Sequence, residues 1–148
     1  MIAVVQRVDS ASVTVGDELV GQVAHGLCVL LGIHVDDQAE HATRMAAKLA
    51  RLRIFRDSDD LMNLDVCQVD GSILLVSQFT LLADTSSGNR PSFTRAAKTD
   101  QARTLYESVA RHLQEDHGIP VQTGRFGAMM QVNLVNDGPV TVILEQHD

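Results

Sequence analysis

The sequence predicts an α+β protein with a β-rich, mixed or barrel-like sheet and two main helices. Apolar, β-branched runs of strand length clearly outnumber the segments with helical periodicity. Their order along the chain is several strands, a helix, a strand, a long loop, a second helix and two strands, which does not fit a doubly wound α/β fold. A length of 148 residues fits a single domain spanning 1–148.

The first third of the chain is predicted to be strands. Residues 2–8 are rich in β-branched side chains, and residues 11–15 alternate between apolar and polar with a period of two. Gly16-Asp17 marks a turn into residues 19–23, which would complete a hairpin. Gly26 then opens a buried apolar run that continues to Ile33.

Two helices are predicted from capping signals and apolar spacing. The first begins at a capping box of Asp37 and Glu40 and continues to about Arg53. The second begins near Thr99 and ends before the stop signals Gly118 and Pro120. The apolar faces consist of Ala42, Met45, Ala46, Leu49 and Leu52 in the first helix, and of Ala102, Leu105, Tyr106, Val109 and Leu113 in the second.

The second half of the chain adds three strands and a loop. Residues 72–82 are predicted to be a buried strand, and residues 83–98 a long irregular loop of a kind that is functional or mobile in compact domains. Residues 130–135 and 140–144 are predicted as strands on either side of a turn at 136–139. Base rates argue against a cis bond before Pro139 in this turn, because only about 5–6% of X–Pro bonds in folded proteins are cis.

The charge, the apolar run lengths and the cysteine spacing argue against several classes of function. A net charge of −7 argues against a protein that wraps long nucleic acid, although a local site could hold one short end. No segment approaches the ~20 apolar residues of a membrane span, and the N-terminal residues do not resemble a signal peptide, so a cytoplasmic protein is expected. Cys28 and Cys67 fit no metal-binding spacing, and we expect neither a metal nor a cofactor.

Common catalytic motifs are absent, but one polar stretch interrupts an apolar strand. Ser77-Gln78-Phe79-Thr80 places hydrogen-bonding side chains where burial without a partner costs about 1–3 kcal/mol. If the backbone leaves the sheet here, its N–H groups could form an oxyanion hole. The alternative is an edge strand with one polar face, and the residues alone leave both interpretations open.

Two further stretches carry weaker signals. Residues 88–93 place a cation and an aromatic ring on the long loop, where Arg90, Arg95 and Lys98 form a positive patch that could contact phosphate. Residues 136–141 look first like a hairpin turn. Composition and spacing alone therefore leave the activity open.

Taken together, these stretches resemble the signature motifs of the D-aminoacyl-tRNA deacylase family. The motifs are Ser77-Gln78-Phe79-Thr80, Arg90-Pro91-Ser92-Phe93 and Asn136-Asp137-Gly138-Pro139-Val140-Thr141. Other similar segments occur in the expected order along nearly the whole chain: Gln6-Arg7-Val8, residues 11–15, Arg53-Ile54-Phe55, Met62-Asn63-Leu64 and Thr123-Gly124-Arg125-Phe126.

The resemblance implies a barrel-like homodimer that hydrolyses the ester between a D-amino acid and the tRNA 3′ end. It implies that Ser77, Gln78, Phe79 and Thr80 form the catalytic site. It also implies that a cis Gly138-Pro139 unit enters the partner subunit's pocket and selects the substrate's chirality. Contacts with the substrate or the tRNA end are expected from Arg90, Pro91, Ser92, Phe93, Phe126, Val140 and Thr141.

Two chemical routes are compatible with these residues. Thr80 could act as a nucleophile, or water could attack with help from the substrate's 2′-hydroxyl; the second is favoured because Thr80 has no evident base in the sequence. A filter that excludes the L side chain cannot reject glycine, so glycyl-tRNA is expected as a substrate. The alternative functions are a non-catalytic dimeric module that binds a nucleotide or tRNA end, and a general Ser/Thr esterase.

Overall fold

The computed structural model describes residues 1–147, which form an α+β protein with a mixed, nearly closed sheet. The predicted fold class is therefore confirmed. The strands are β1 Ile2–Val15, β2 Glu18–Val23, β3 Gly26–Gly32, β4 Phe55–Arg56, β5 Met62–Leu64, β6 Ser72–Ser77, β7 Val121–Thr123 and β8 Gln131–Glu145; the helices are α1 Ala39–Arg51, α2 Thr99–Glu115 and a 3₁₀ helix, Phe79–Leu82.

The long strand β1 organises the sheet. On one side its residues 11–15 pair antiparallel with β2, which confirms the predicted hairpin, and its residues 2–8 pair antiparallel with β3. β3 continues into a parallel pair with β6, and β6 into a parallel pair with β7. On its other side β1 pairs antiparallel with β8 along nearly its whole length, while β4 and β5 form a small separate sheet.

The sheet curls until its ends almost meet. Gly21 of β2 lies so close to β7 that a Cβ at this position would stand 2.7 Å from the Thr123 carbonyl oxygen. This contact brings β2 and β7, which lie at opposite ends of the strand order, against each other. The curl therefore has an inside, lined by apolar residues, and an outside that α1 and α2 cover.

Strand β6 shows why the buried runs in the sequence are continuous. Ile73 and Leu75 pack on the helix side, whereas Leu74 and Val76 pack inside the curl, and all four are buried. Successive side chains of a strand point to opposite faces, so a strand covered on both sides needs apolar residues throughout. Of the two helices, neither is long and apolar enough to cross a membrane.

The first helix begins one residue later than its predicted cap. The capping box consists of Gln38 and His41, whose Nδ1 accepts a hydrogen bond from the Gln38 N–H at 2.8 Å, and not of Asp37 and Glu40. The Asp37 carboxylate is used elsewhere, because it accepts hydrogen bonds from the Met1 ammonium group at 3.0 Å and from the His34 N–H at 2.7 Å. α1 ends at Arg51, two residues before the predicted end.

Three strand predictions need correction. β1 is one continuous strand and not two, and the strand predicted at 72–82 ends at Ser77. The hairpin predicted at 136–139 is wrong, because β8 runs straight through this segment and pairs with β1 on both sides of it. Asn136 lies opposite Val8 and Thr141 lies opposite Gln6, so the extra residues of β8 form a bulge.

Candidate active site

The stretch Ser77-Gln78-Phe79-Thr80 lies where β6 leaves the sheet. The Gln78 N–H still donates to the Leu31 carbonyl of β3 at 2.8 Å, and the chain then turns into the 3₁₀ helix. The N–H groups of Phe79 and Thr80 belong to the first turn of this helix, where no carbonyl of the same helix can accept them. The backbone therefore departs from the ladder at the point where an oxyanion hole would require it.

A glycine in the neighbouring strand makes room for this turn. A Cβ on Gly32 would stand 2.9 Å from the Gln78 carbonyl oxygen and 2.6 Å from Leu82 Cδ2. Contacts this short do not occur around real Cβ atoms, so a larger residue would displace the turn. Gly32 supports the site without belonging to any of the motifs that the sequence indicated.

The polar side chains that follow the apolar strand β6 are not buried without partners. The Gln78 amide nitrogen donates a hydrogen bond to the Thr80 hydroxyl oxygen, and both groups lie toward solvent. Phe79 is 57% exposed and packs edge-on against Phe93, with ring centroids 5.0 Å apart. Within the described chain, the Thr80 hydroxyl contacts neither a histidine nor a carboxylate that could act as its base.

The long loop is tied down beside this turn. Asp84 and Ser92 exchange two backbone hydrogen bonds, of 2.8 and 2.9 Å, and the Arg95 guanidinium donates to the Ala83 carbonyl at 3.1 Å. The backbone N–H and hydroxyl of Ser86 lower the pKa of the Asp84 carboxyl group. Arg90, Pro91 and Ser92 are exposed, whereas Phe93 is half-buried and its ring contacts that of Phe79.

Phe126 lies near the end of β6 on the helix side. Its ring centroid is 5.7 Å from that of Tyr106, and the Arg103 guanidinium lies 5.2 Å above its ring. The Tyr106 hydroxyl donates to the Leu75 carbonyl at 2.7 Å, two residues before Ser77. Burial raises the pKa of Tyr106, so this hydroxyl keeps its proton and remains a hydrogen-bond donor.

The bulge of β8 carries a cis peptide bond between Gly138 and Pro139, and both residues are exposed. The Asn136 side chain closes the bulge by accepting from the Val140 N–H at 2.7 Å and donating to the Val140 carbonyl at 3.1 Å. Arg7, which is only 2% exposed, donates to the Asp137 carbonyl at 2.9 Å. Two supports, Arg7 and Asn136, were not among the predicted site residues, although both lie in the motifs.

The turn and the bulge lie far apart in one chain. Ser77 is level with Leu31 of β3 and thereby with Ala3 of β1, whereas the bulge lies beside Arg7. The turn and the bulge are therefore about 13 Å apart along the strand direction. Across the sheet they are three strand spacings apart, which is about 14 Å. The structure thus brings Ser92 and Phe93 to the predicted catalytic turn, but it leaves Gly138, Pro139, Val140 and Thr141 elsewhere.

Comparison with known proteins shows similarity along nearly the whole chain. The family model described as D-Tyr-tRNA(Tyr) deacylase matches residues 4–145. Proteins named D-aminoacyl-tRNA deacylase from Klebsiella pneumoniae subsp. pneumoniae and from Bacillus licheniformis are each 53% identical over 98% of this chain and cover 99% and 98% of their own lengths.

Two solved structures share the fold. The first, named c-Myc DNA Unwinding Element Binding Protein, has a TM-score of 0.94 and 42% identity over the full length of both chains. The second is described as a "probable eukaryotic D-amino acid tRNA deacylase", with a TM-score of 0.83 over 97% of both chains. At 17% identity the second comparison shows the fold alone.

Proposed function

Because the chain belongs to the D-aminoacyl-tRNA deacylase family, we propose that it hydrolyses the ester bond between a D-amino acid and the 3′ end of tRNA. The observation that carries this function is the 53% identity over 98% of the chain to proteins that bear this name. The exposed turn at 77–80 supplies a suitable surface for the chemistry. The reaction takes place in the cytoplasm, where aminoacyl-tRNA is made and used.

The chemical step is an attack of water on the ester carbonyl. The water oxygen bonds to the carbonyl carbon, the bond to the 3′-oxygen breaks, and a proton passes to that oxygen with help from the neighbouring 2′-hydroxyl. The N–H groups of Phe79 and Thr80 stabilise the negative charge on the carbonyl oxygen. Thr80 is a poor nucleophile because its hydroxyl contacts the Gln78 amide and has no base beside it in the described chain.

A backbone substitution tests the oxyanion hole directly. Phe79→Pro removes the N–H donor. Proline suits this position because it is the first residue of the 3₁₀ helix and follows Gln78, whose φ of −147° and ψ of 82° lie outside the α-helical region that proline disfavours in the preceding residue. We expect a loss of roughly 100-fold or more in kcat, as for other single oxyanion-hole donors. Phe79→Leu keeps the N–H and loses only the ring, so an equal loss in both variants would contradict this role.

Chirality is selected by exclusion of the L side chain, which requires a second copy of the chain. Fit alone discriminates weakly, since one methylene contributes about 1–3 kcal/mol, whereas rigid backbone in the L position creates a clash. Gly138 and Pro139 suit this role because they are exposed and anchored by Arg7 and Asn136. They lie too far from the turn of their own chain, so they act in the pocket of the partner in a homodimer.

The stereochemical test compares three esters of one tRNA. D-alanyl-tRNA and glycyl-tRNA should be hydrolysed, because neither has a substituent in the excluded position, and L-alanyl-tRNA should survive. A terminal 2′-deoxyadenosine should slow the reaction of the D ester. Equal cleavage of D- and L-alanyl-tRNA would contradict the exclusion mechanism, and a glycyl ester as stable as the L ester would show that the D side chain is itself recognised.

A second candidate is a non-catalytic module that binds nucleic acid. It is favoured by the name of the 42% identical structure, the c-Myc DNA Unwinding Element Binding Protein. Incubation with D-alanyl-tRNA separates the two functions, because a binding module forms a complex without releasing alanine.

A further inference from the structure

The segment from α1 to β4 carries a concentration of positive charge in an acidic protein. Five of the chain's twelve lysines and arginines lie between residues 44 and 56, and no aspartate or glutamate occurs from residue 41 to 56. The whole chain has a net charge of −7. We call Arg44, Lys48, Arg51 and Arg53 the α1 basic stripe.

The stripe follows one face of the helix. Arg44, Lys48 and Arg51 are spaced by four and then three residues, so they lie above one another over about 10 Å of helix axis. Together with Arg53 and Gln146, which follows β8, they line an open groove of about 550 Å³. The groove includes no residue of the predicted catalytic turn.

The cations of the stripe differ in their contacts within residues 1–147. Glu40 lies 3.9 Å from Arg44, but within residues 1–147 no carboxylate forms an ion pair with Lys48 or Arg51. Arg53 is held in place by Asn63, whose carbonyl accepts from its Nε at 2.9 Å. A solvated helix face ordinarily mixes both signs, because like charges three or four residues apart repel each other.

The apolar packing of α1 does not account for this arrangement. The opposite face of α1, with Ala42, Met45 and Leu49, supplies the packing, and all three are fully buried. The dipole at the C-terminus of α1 favours Lys48 and Arg51, Glu40 lies beside Arg44, and Asn63 holds Arg53, but none of these contacts requires four cations in one row. A row of like charges that the packing of α1 does not use favours an anionic partner.

The stripe ends beside the bulge of β8. Arg7 donates to the Ile54 carbonyl at 2.7 Å and to the Asp137 carbonyl at 2.9 Å, so the segment after α1 and the bulge share one anchor. In the proposed homodimer, in which the bulge enters the partner's pocket, the end of the stripe at Arg53 would lie beside that pocket. A tRNA bound in that pocket would then have the stripe as a neighbouring cationic surface.

We propose that the α1 basic stripe binds the phosphodiester backbone of the tRNA, away from its aminoacylated end. The proposal rests on the proposed function for its substrate. A stripe of about 10 Å along the helix axis presents its cations in a row, as contact with successive phosphates of one strand requires. Binding through phosphates gives affinity without sequence preference, which suits an enzyme that acts on many tRNAs.

The test compares two variants with the same change in charge. Lys48→Gln combined with Arg51→Gln removes two positive charges from the stripe. Arg111→Glu replaces one positive charge by one negative charge on the exposed side of α2, so the net charge changes by −2 in both variants. The substrates are D-alanyl-tRNA and the D-alanyl ester of adenosine alone. We measure kcat/KM for both, and the salt dependence of binding of uncharged tRNA.

The stripe variant should lose roughly tenfold in kcat/KM on D-alanyl-tRNA at low salt, and the slope of log K against log salt should fall by about two. Its rate on the adenosine ester should stay within about twofold of the wild type. An unchanged slope, an equal loss on the adenosine ester or an equal effect of Arg111→Glu would overturn the proposal. Failure of the wild type to hydrolyse either ester would instead refute the proposed function, and binding of uncharged tRNA would still decide the role of the stripe.

Discussion

Replacement of Arg7 by methionine tests how the bulge is held in place. Methionine keeps most of the apolar stem but removes the guanidinium, which donates to the Asp137 and Ile54 carbonyls at 2.9 and 2.7 Å. Both acceptors then lose a charged donor in a site where Arg7 is only 2% exposed. The Nε atom also lies 3.3 Å from the Asp137 carboxylate.

The magnitude follows from these contacts. Two hydrogen bonds from a charged group contribute about 1.5–3 kcal/mol each, or about 3–6 kcal/mol together. Against this, the second terminal nitrogen of Arg7 is buried without a hydrogen-bond partner, and its removal returns about 1–3 kcal/mol. The variant should therefore lose about 3 kcal/mol of unfolding free energy, which corresponds to a fall in Tm of roughly 6–12 °C for a chain of this size.

Urea and thermal unfolding of wild type, Arg7→Met and Asp137→Asn measure this difference. Asp137→Asn keeps the backbone acceptor and removes only an ion pair whose carboxylate is 43% exposed, so it should cost less than about 1 kcal/mol. Equal losses in the two variants, or a loss below about 1 kcal/mol in Arg7→Met, would refute the assignment to the backbone carbonyls. At temperatures where the variant is folded, its preference for D over L esters should also fall.

Two further substitutions and one chemical modification experiment also have defined expected outcomes. Thr80→Ala should retain substantial turnover, and complete inactivity together with a trapped acyl adduct on the wild type would instead identify Thr80 as the nucleophile. Gly32→Ala should cost about 1–3 kcal/mol in stability and reduce kcat, since its Cβ displaces the Gln78 carbonyl; wild-type kcat and Tm would contradict this. Burial raises the pKa of Cys28 to about 11, whereas Cys67 is exposed. At pH 8 a thiol reagent should therefore modify one cysteine in the native protein and two after denaturation. Two rapid modifications in the native state would be inconsistent with a buried Cys28.

The sequence was sufficient for the elements whose signal is local. The helical spacing of Leu105, Val109 and Leu113 predicted α2, and the turn at Gly16-Asp17 predicted the first hairpin. The predicted capping box of Asp37 and Glu40 was wrong because the Asp37 carboxylate accepts hydrogen bonds from the Met1 ammonium group and the His34 N–H. Met1 is distant from Asp37 in sequence, so no local pattern indicates this contact.

The β8 bulge shows where local signals mislead. Asn136-Asp137-Gly138-Pro139 has the composition of a turn, yet β1 supplies hydrogen-bond partners on both sides of it, so the strand continues. The motifs indicated which residues belong to the candidate site. Their distribution between two places on the sheet depends on the pairing of β1 with β8, whose partners are separated by more than a hundred residues, and no spacing in the sequence reveals that register.

The unbroken course of β1 makes the number of residues between Ala3 and Arg7 as important as their identity. Both side chains point to the helix-covered face because Ala3 and Arg7 are four positions apart, which is an even offset along the strand. A one-residue deletion in this interval would turn the Arg7 guanidinium toward the apolar interior where Val8 now lies, and would shift β8 by a residue. Point substitutions here should be tolerated more often than changes in length.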